Sequence, residues 1–173
     1  MDQNEEFIRT LKIEDVPWNR LTTAYGMATE LPEYLKTVQA MSNRGSVKEA
    51  LGEILDNIEH QSSLWHSTPF ALIFLVRIYH DAEKQKESNK TAAWLLEELE
   101  DFFVLLIGYH DDLDDFESEE PLPLFSDMLN EEYLWPEDLD EEEQDEWWDK
   151  GYADELHTSI CYYSYELLKE FDV

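Results

Sequence analysis

Two histidines are the residues of this sequence whose types and spacing most resemble a chemical site. His60 and His66 lie six positions apart in a segment that we expect to form a turn between helices, where they could ligate a metal ion or act as an acid and a base. A metal site needs further ligands, but the sequence contains one cysteine, Cys161, and no His-Glu-x-x-His pattern. We therefore interpret the segment as a structured turn, with a small hydrolase that uses one histidine and a nearby carboxylate as an alternative.

A cluster of aspartates could attract a hard cation, because calcium prefers carboxylate oxygens as ligands. The cluster lacks the turn glycine and the closing bidentate glutamate of a calcium loop, so loose association of cations is the simpler interpretation. Gly-rich phosphate loops and a Gly-x-Ser-x-Gly nucleophile elbow are absent from the sequence. We predict that the protein is not an enzyme and needs no metal or cofactor. The clustered residues are Asp111, Asp112, Asp114 and Asp115.

The charge balance restricts the partners of the protein. The 173 residues include 42 Asp or Glu and 12 Lys or Arg, a formal net charge of -30, while 43% apolar residues and 13% aromatic residues indicate a folded core. Such a chain should repel nucleic acids and anionic membranes. The apolar run at residues 70–76 is too short to span a bilayer, and residues 1–6 lack the features of a signal peptide. We expect a cytoplasmic protein.

Acidic residues are concentrated in one part of the chain. Residues 91–149 contain 23 Asp or Glu and no Lys or Arg, and residues 111–149 interleave 19 of these acids with aromatic side chains. Carboxylates select a cationic partner, and Trp and Tyr anchor interfaces, so we predict a surface that binds a basic protein. A solvated connection is the alternative. Besides the aspartate cluster, the predicted contact residues are Glu131, Glu132, Tyr133, Trp135, Glu137, Asp138, Asp140, Glu141, Glu142, Glu143, Trp147 and Trp148.

The elements that must position these residues are helices. Apolar side chains at three- and four-residue spacing, with few Gly and Pro between them, predict an all-α fold without strands. We expect one domain over residues 1–173, formed as a small stack of antiparallel helix pairs or an irregular bundle, with residues 111–149 as a connecting segment. The predicted helices are 18–25, 32–41, 47–58 after a Ser46 cap with Glu49, 68–83 opened by a Thr68 cap, 89–110, and one after Gly151.

One stretch of the sequence resembles a group of bacterial HEAT-like helical proteins. The resemblance rests on residues 18–32, on His60-Gln61 and on residues 65–71, within about residues 16–80. It implies a short HEAT-like helical stack in which Trp18 and Tyr25 pack between helices and Gly26 permits a turn. Small acidic members of this kind look similar to immunity proteins of interbacterial toxin systems, including contact-dependent growth inhibition.

Charge, composition and resemblance together favour a binding protein. We expect an immunity protein that neutralises a cognate toxin, most simply a basic nuclease, by covering its active site or its substrate groove. An acidic scaffold or adaptor that binds an endogenous basic protein is the alternative, as is a mimic of nucleic-acid phosphates. The stoichiometry and oligomeric state stay open.

Overall fold

Seven α-helices, five short 3-10 helices and four very short strands form the secondary structure of the described part of the chain. The computed structural model describes residues 2–111 and 121–172. The predicted all-α class is confirmed, with two small hairpins added to it. The elements are α1 (Gln3–Thr10), β1 (Thr22–Thr23), β2 (Gly26–Met27), α2 (Leu31–Ala40), α3 (Arg44–Ile58), β3 (Glu59–His60), β4 (Ser63–Leu64), α4 (Thr68–Gln85), α5 (Lys90–Asp111), α6 (Glu141–Lys150) and α7 (Asp154–Leu168).

Local signals placed most of the long helices correctly. Helix α2 ends at Met41, which adopts a left-handed conformation with φ 49°. Helix α5 begins after Asn89, whose side-chain oxygen accepts hydrogen bonds from the backbone N–H groups of Thr91 at 3.0 Å and Ala92 at 3.2 Å. The predicted helices 32–41, 89–110 and the one after Gly151 are therefore confirmed to within a few residues.

The starts of α3 and α4 differ from the prediction. Asn43, not Ser46, caps α3, because its extended backbone lets its side chain accept the Ser46 N–H at 3.0 Å. Thr68 is the first residue of α4 rather than its cap. Its hydroxyl is committed elsewhere: it donates to the Ile58 carbonyl at 2.6 Å and accepts from the Trp65 N–H at 2.8 Å. This pair of bonds joins the end of α3 to the start of α4.

The predicted helix at residues 18–25 is wrong. Trp18–Arg20 form one 3-10 turn, and the chain then turns back as the β1–β2 hairpin, in which Gly26 has φ 143°. The Ala24 N–H donates to the Asn57 carbonyl at 2.8 Å, so a tertiary contact holds the hairpin against α3. Tyr25 lies at the hairpin tip and is 68% exposed, which corrects its expected packing between helices, whereas Trp18 is buried.

Helix α4 is the centre of the core. It packs against α2, α5 and α7, and every residue from 68 to 75 is buried. Helix α4 is therefore the element around which α2, α5 and α7 pack. Helices α2 and α3 also pack against each other as consecutive neighbours.

Part of the predicted connecting segment packs onto the body of the protein. Its buried side chains within residues 121–136 are Phe125, Met128, Leu134 and Trp135. Phe125 is fully buried, and its ring lies 5.5 Å from that of Phe7, 5.3 Å from that of Phe70 and 4.5 Å from that of Tyr163. The His66 side chain hydrogen-bonds through Nε2 to the Met128 carbonyl at 2.8 Å. The segment therefore ties helices α1, α4 and α7 together before the chain enters α6.

Candidate partner-binding surface

Helix α6 carries the densest group of the predicted contact residues. It starts at a capping box: the Asp140 side chain accepts the Glu143 N–H at 2.9 Å, and the Glu143 side chain accepts the Asp140 N–H at 3.0 Å. Glu141 and Glu142 add negative charge to the first turn, where it stabilises the helix dipole. The helix ends at Gly151, whose φ of 66° is available to glycine at little cost.

The outer face of α6 is a row of carboxylates. Glu142, Asp145, Glu146 and Asp149 follow the i, i+3, i+4, i+7 spacing of one helix face, and all four are exposed; we call them the acidic stripe. The stripe is about 10.5 Å long at the rise of an α-helix. Carboxylates at this spacing repel one another and destabilise the helix. No stripe carboxylate forms an ion pair with another described residue.

Contacts among four tryptophans attach the inner face of α6 to the body. The Trp135 ring lies 5.7 Å from that of Trp147 and 4.9 Å from that of Trp148, and Trp148 makes an edge contact of 5.8 Å with Trp65. Trp135 is only 6% exposed, so its indole supports the helix from below and does not reach the surface. Trp148 is 37% exposed, so part of its ring is accessible to a partner.

One cation of the chain already contacts this aromatic group. The Lys150 ammonium lies 4.7 Å from the centre of the Trp147 ring, a cation–π distance. Trp147 also lines an open depression of about 570 Å³ together with Glu131, Glu132, Glu137 and Arg20, which already pairs with Glu131. A surface that combines carboxylates with an aromatic face is suited to an arginine or lysine side chain.

The acids before α6 have different surroundings. Glu131 forms a bidentate ion pair with Arg20, and hydrogen bonding between the two side chains raises the pKa of Arg20 and lowers that of Glu131. Glu137 accepts a hydrogen bond from Asn19 at 3.1 Å. Glu132 and Asp138 are exposed. The charge of Glu131 is therefore partly neutralised by Arg20 of the same chain, whereas Glu132 and Asp138 present their charge to solvent.

Tyr133 is half-buried at the edge of this region. Its hydroxyl donates to Glu155 at 3.2 Å, and burial together with the nearby carboxylates raises its pKa. The remaining predicted contact residues, the aspartate cluster, follow the end of α5. Asp111 is the last residue of that helix, but its side chain and Asp112, Asp114 and Asp115 lie outside the described residues.

The two histidines lie in separate environments. His60 is on the β3–β4 hairpin, where its Nδ1 hydrogen-bonds to the Tyr25 hydroxyl at 3.2 Å. His66 is 1% exposed; burial lowers its pKa from 6.5 to about 4, although the bond to the Met128 carbonyl opposes this shift. Within the described residues, no group of three or more His, Cys, Asp or Glu side chains could hold a metal ion.

Comparison with known proteins yields no relative. The chain matches no protein-family model, no curated protein and no solved structure. The resemblance to HEAT-like helical proteins and to immunity proteins therefore stays a prediction. No helix in the described ranges is both long enough and apolar enough to cross a membrane.

Sequence reasoning found the acidic region but missed most of the stripe. Of its members, only Glu142 was among the predicted contact residues; Asp145, Glu146 and Asp149 were not. The signal was present in the sequence, because acids at 142, 145, 146 and 149 alternate in a helical period with Trp147 and Trp148 on the opposite face. This period becomes informative only once residues 141–150 are known to form a helix.

Proposed function

We propose that this protein is an immunity protein whose α6 surface binds a cognate basic toxin, a nuclease, and covers its active site or substrate groove. The observation that carries the proposal is the acidic stripe. Its four carboxylates have no cationic partner among the described residues, and their mutual repulsion weakens the helix that displays them. A feature that reduces stability without an internal partner is expected where an external partner uses it.

Electrostatics supports a rapid capture of the target. A net charge of -30 with a concentrated acidic face attracts a basic protein over distances of about a Debye length, roughly 8 Å at physiological salt. Steering of this kind raises association rates by about 10- to 1,000-fold. Fast association suits an inhibitor that must neutralise a toxin before the toxin reaches its substrate.

The sign and density of the charge on the stripe favour a nuclease as the target. A nuclease groove binds phosphates with cationic side chains, and four exposed carboxylates within about 10.5 Å of helix offer such a groove negative charge. The residues of the stripe are separated along the helix axis by about 4.5, 1.5 and 4.5 Å, which differs from the even rise of about 3.4 Å along one strand of B-DNA. The stripe therefore supports binding to a phosphate-binding groove by charge and not by a match to phosphate positions.

The aromatic group supplies the short-range part of the interface. Trp148 is 37% exposed at the edge of the inner face of α6, and Trp147 already accepts the Lys150 ammonium on its face. An arginine of the partner could replace Lys150 on this face and pair with Glu132 or Glu137 at the edge of the depression. Charge would then guide the encounter, and the aromatic contact would slow dissociation.

Protection of cells tests the proposal. A toxin domain encoded next to this protein would be expressed with the wild type or with a stripe variant carrying Glu142→Gln, Asp145→Asn, Glu146→Gln and Asp149→Asn. We expect the wild type to restore growth and to inhibit nuclease activity, and the stripe variant to lose most of this protection.

A matched control separates the effect of where the charges lie from the effect of net charge. Helix α5 has four exposed acids, and Glu97→Gln, Glu98→Gln, Glu100→Gln with Asp101→Asn changes the net charge by the same amount. This α5 control should protect as the wild type does. Equal protection by the stripe variant would contradict the proposal, and a partner captured from cells that hold no toxin would favour an adaptor instead.

A further inference from the structure

A short 3-10 turn, Lys169–Phe171, follows helix α7 and packs against α5; we call it the terminal turn. The centre of the Phe171 ring lies 4.7 Å from that of Phe103 on α5 and 4.9 Å from that of Tyr79 on α4. Phe103 is fully buried, and Tyr79 is half-buried. Phe171 is therefore one of the side chains that cover the apolar contact between α4 and α5.

A histidine joins the terminal turn to α4 by polar contacts. The Nε2 atom of His80 lies 3.0 Å from the Glu170 carboxylate on the turn, and Nδ1 lies 3.1 Å from the carboxylate of Glu83, three residues further along α4. The His80 ring is also stacked on that of Phe171, with 24° between the ring planes and 6.3 Å between the centres. The imidazole is thus placed between one carboxylate of its own helix and one of the turn.

Both contacts of His80 can be hydrogen bonds only when the imidazole carries two protons. A neutral imidazole has one N–H donor and one acceptor nitrogen, whereas a carboxylate only accepts. Protonated His80 donates to Glu83 and to Glu170. Neutral His80 leaves one carboxylate facing a nitrogen lone pair, and it leaves two negative side chains with no positive charge between them. Loss of the proton therefore weakens the attachment of the turn to α4.

The two carboxylates also set the pH range in which His80 changes its charge. Burial lowers the His80 pKa, but the hydrogen bonds and charges of Glu170 and Glu83 outweigh burial and raise the pKa above its ordinary value. The imidazolium form therefore persists to higher pH than it does in an isolated histidine.

The other charged and titratable groups near the turn do not replace His80. On α4, burial together with the nearby Glu100 of α5 raises the pKa of Tyr79, so this phenol stays neutral at physiological pH. Helix α7 contributes Glu166, whose carboxylate pairs with Lys169 of the turn itself. These groups keep their charge near neutral pH, so the titration of His80 is the change that the turn experiences.

We propose that His80 is a pH-operated latch that holds the terminal turn on α4 and α5 while its imidazole is protonated and loosens the turn when the imidazole loses its proton. Because the His80 pKa is higher in the folded state, the contribution of the latch is complete below the unfolded pKa of about 6.5 and is lost as the pH rises through the folded one. The apolar contacts of Phe171 oppose release, so the population of the docked turn falls without unfolding of α7. The proposal is independent of the toxin, because it involves no residue of the acidic stripe.

Nuclear magnetic resonance tests the latch on the full chain. The Cε1 proton of His80 reports its protonation, and fluorine spectra of protein that contains 4-fluorophenylalanine report the position of Phe171; His80→Gln and Phe171→Leu assign the two signals. We expect the His80 signal to titrate with a midpoint above 6.5. The Phe171 signal should move toward that of a solvent-exposed ring with the same midpoint. A His80 midpoint below 6.5, or a Phe171 signal that does not follow the titration, would overturn the proposal.

Variants at exposed positions separate the latch from net charge. Glu170→Gln should lower the His80 midpoint by about 0.2–0.7 pH unit, as expected for a partly exposed ion pair, and should remove most of the pH dependence of the Phe171 signal. His80→Gln should make the Phe171 signal independent of pH. Glu97→Gln on α5 changes the net charge equally and should leave both titrations as in the wild type. An unchanged midpoint in Glu170→Gln, or an equal effect of Glu97→Gln, would contradict the latch.

Discussion

Acidification should destabilise the fold through His66. In the folded protein its imidazole donates through Nε2 to the Met128 carbonyl, and Nδ1 is buried without a protein partner among the described residues. A proton on Nδ1 would therefore be both desolvated and unpaired, in keeping with the lowering of the His66 pKa from 6.5 to about 4. The His66 pKa is lower in the folded state than in the unfolded state. The stability that neutral His66 contributes is therefore fully present above pH 6.5 and is lost as the pH drops toward 4. Between neutral pH and about pH 5, His66 should lower the free energy of unfolding by about 2 kcal/mol.

Urea unfolding at constant ionic strength, followed at several pH values, measures this loss. His66→Gln should cost about 1–3 kcal/mol at neutral pH because packing and the bond to Met128 are impaired. The difference in free energy of unfolding between wild type and His66→Gln should then decrease by about 2 kcal/mol as the pH falls to about 5. His157→Gln, which replaces an exposed histidine, should keep the wild-type pH dependence. Parallel pH profiles for the wild type and His66→Gln would refute the reasoning.

Three further outcomes follow from packing and charge. Phe125→Ala should lower the free energy of unfolding by about 3–5 kcal/mol in urea titrations, because its buried ring contacts α1, α4 and α7, whereas Phe125→Leu should cost much less; a small loss for alanine would contradict the packing. Neutralising Asp145, Glu146 and Asp149 should raise the melting temperature by a few degrees, since every like-charge pair of the stripe disappears while Glu142 keeps its charge in the first turn; a lower melting temperature would show that these carboxylates stabilise the helix. The wild type should melt higher as salt is raised to about 0.15 M, because screening reduces self-repulsion, and calorimetry that shows no increase would count against it.

Helix positions could be predicted from the sequence where local signals determine them. Apolar periodicity and the Asn89 and Gly151 boundaries predicted the long helices, because a buried helix face and its end residues are properties of neighbouring positions. The helix at residues 18–25 was wrong for a tertiary reason: the Thr22 carbonyl accepts the Ser67 N–H at 3.2 Å, and this contact with the start of α4 favours a hairpin. The spacing of apolar residues along the sequence gives no indication of this long-range hydrogen bond.

The candidate site was predictable in composition but not in arrangement. Charge counting found the acidic region, yet Trp135 could not be distinguished from Trp148 without knowing that residues 121–136 fold back onto the core. The irregular turns of that segment have no period, and its order comes from long-range contacts such as that between Phe125 and Tyr163.

The association rate constant with the cognate toxin domain, measured by stopped-flow at low and high salt, tests the central claim most directly. We expect the stripe variant to associate at least about 10-fold more slowly than the wild type, with a weaker salt dependence and a smaller change in dissociation rate. The α5 control, with the same net charge, should keep the wild-type rate. Equal association rates for the stripe variant and the wild type, or an equal loss in the α5 control, would contradict a docking role for the acidic stripe.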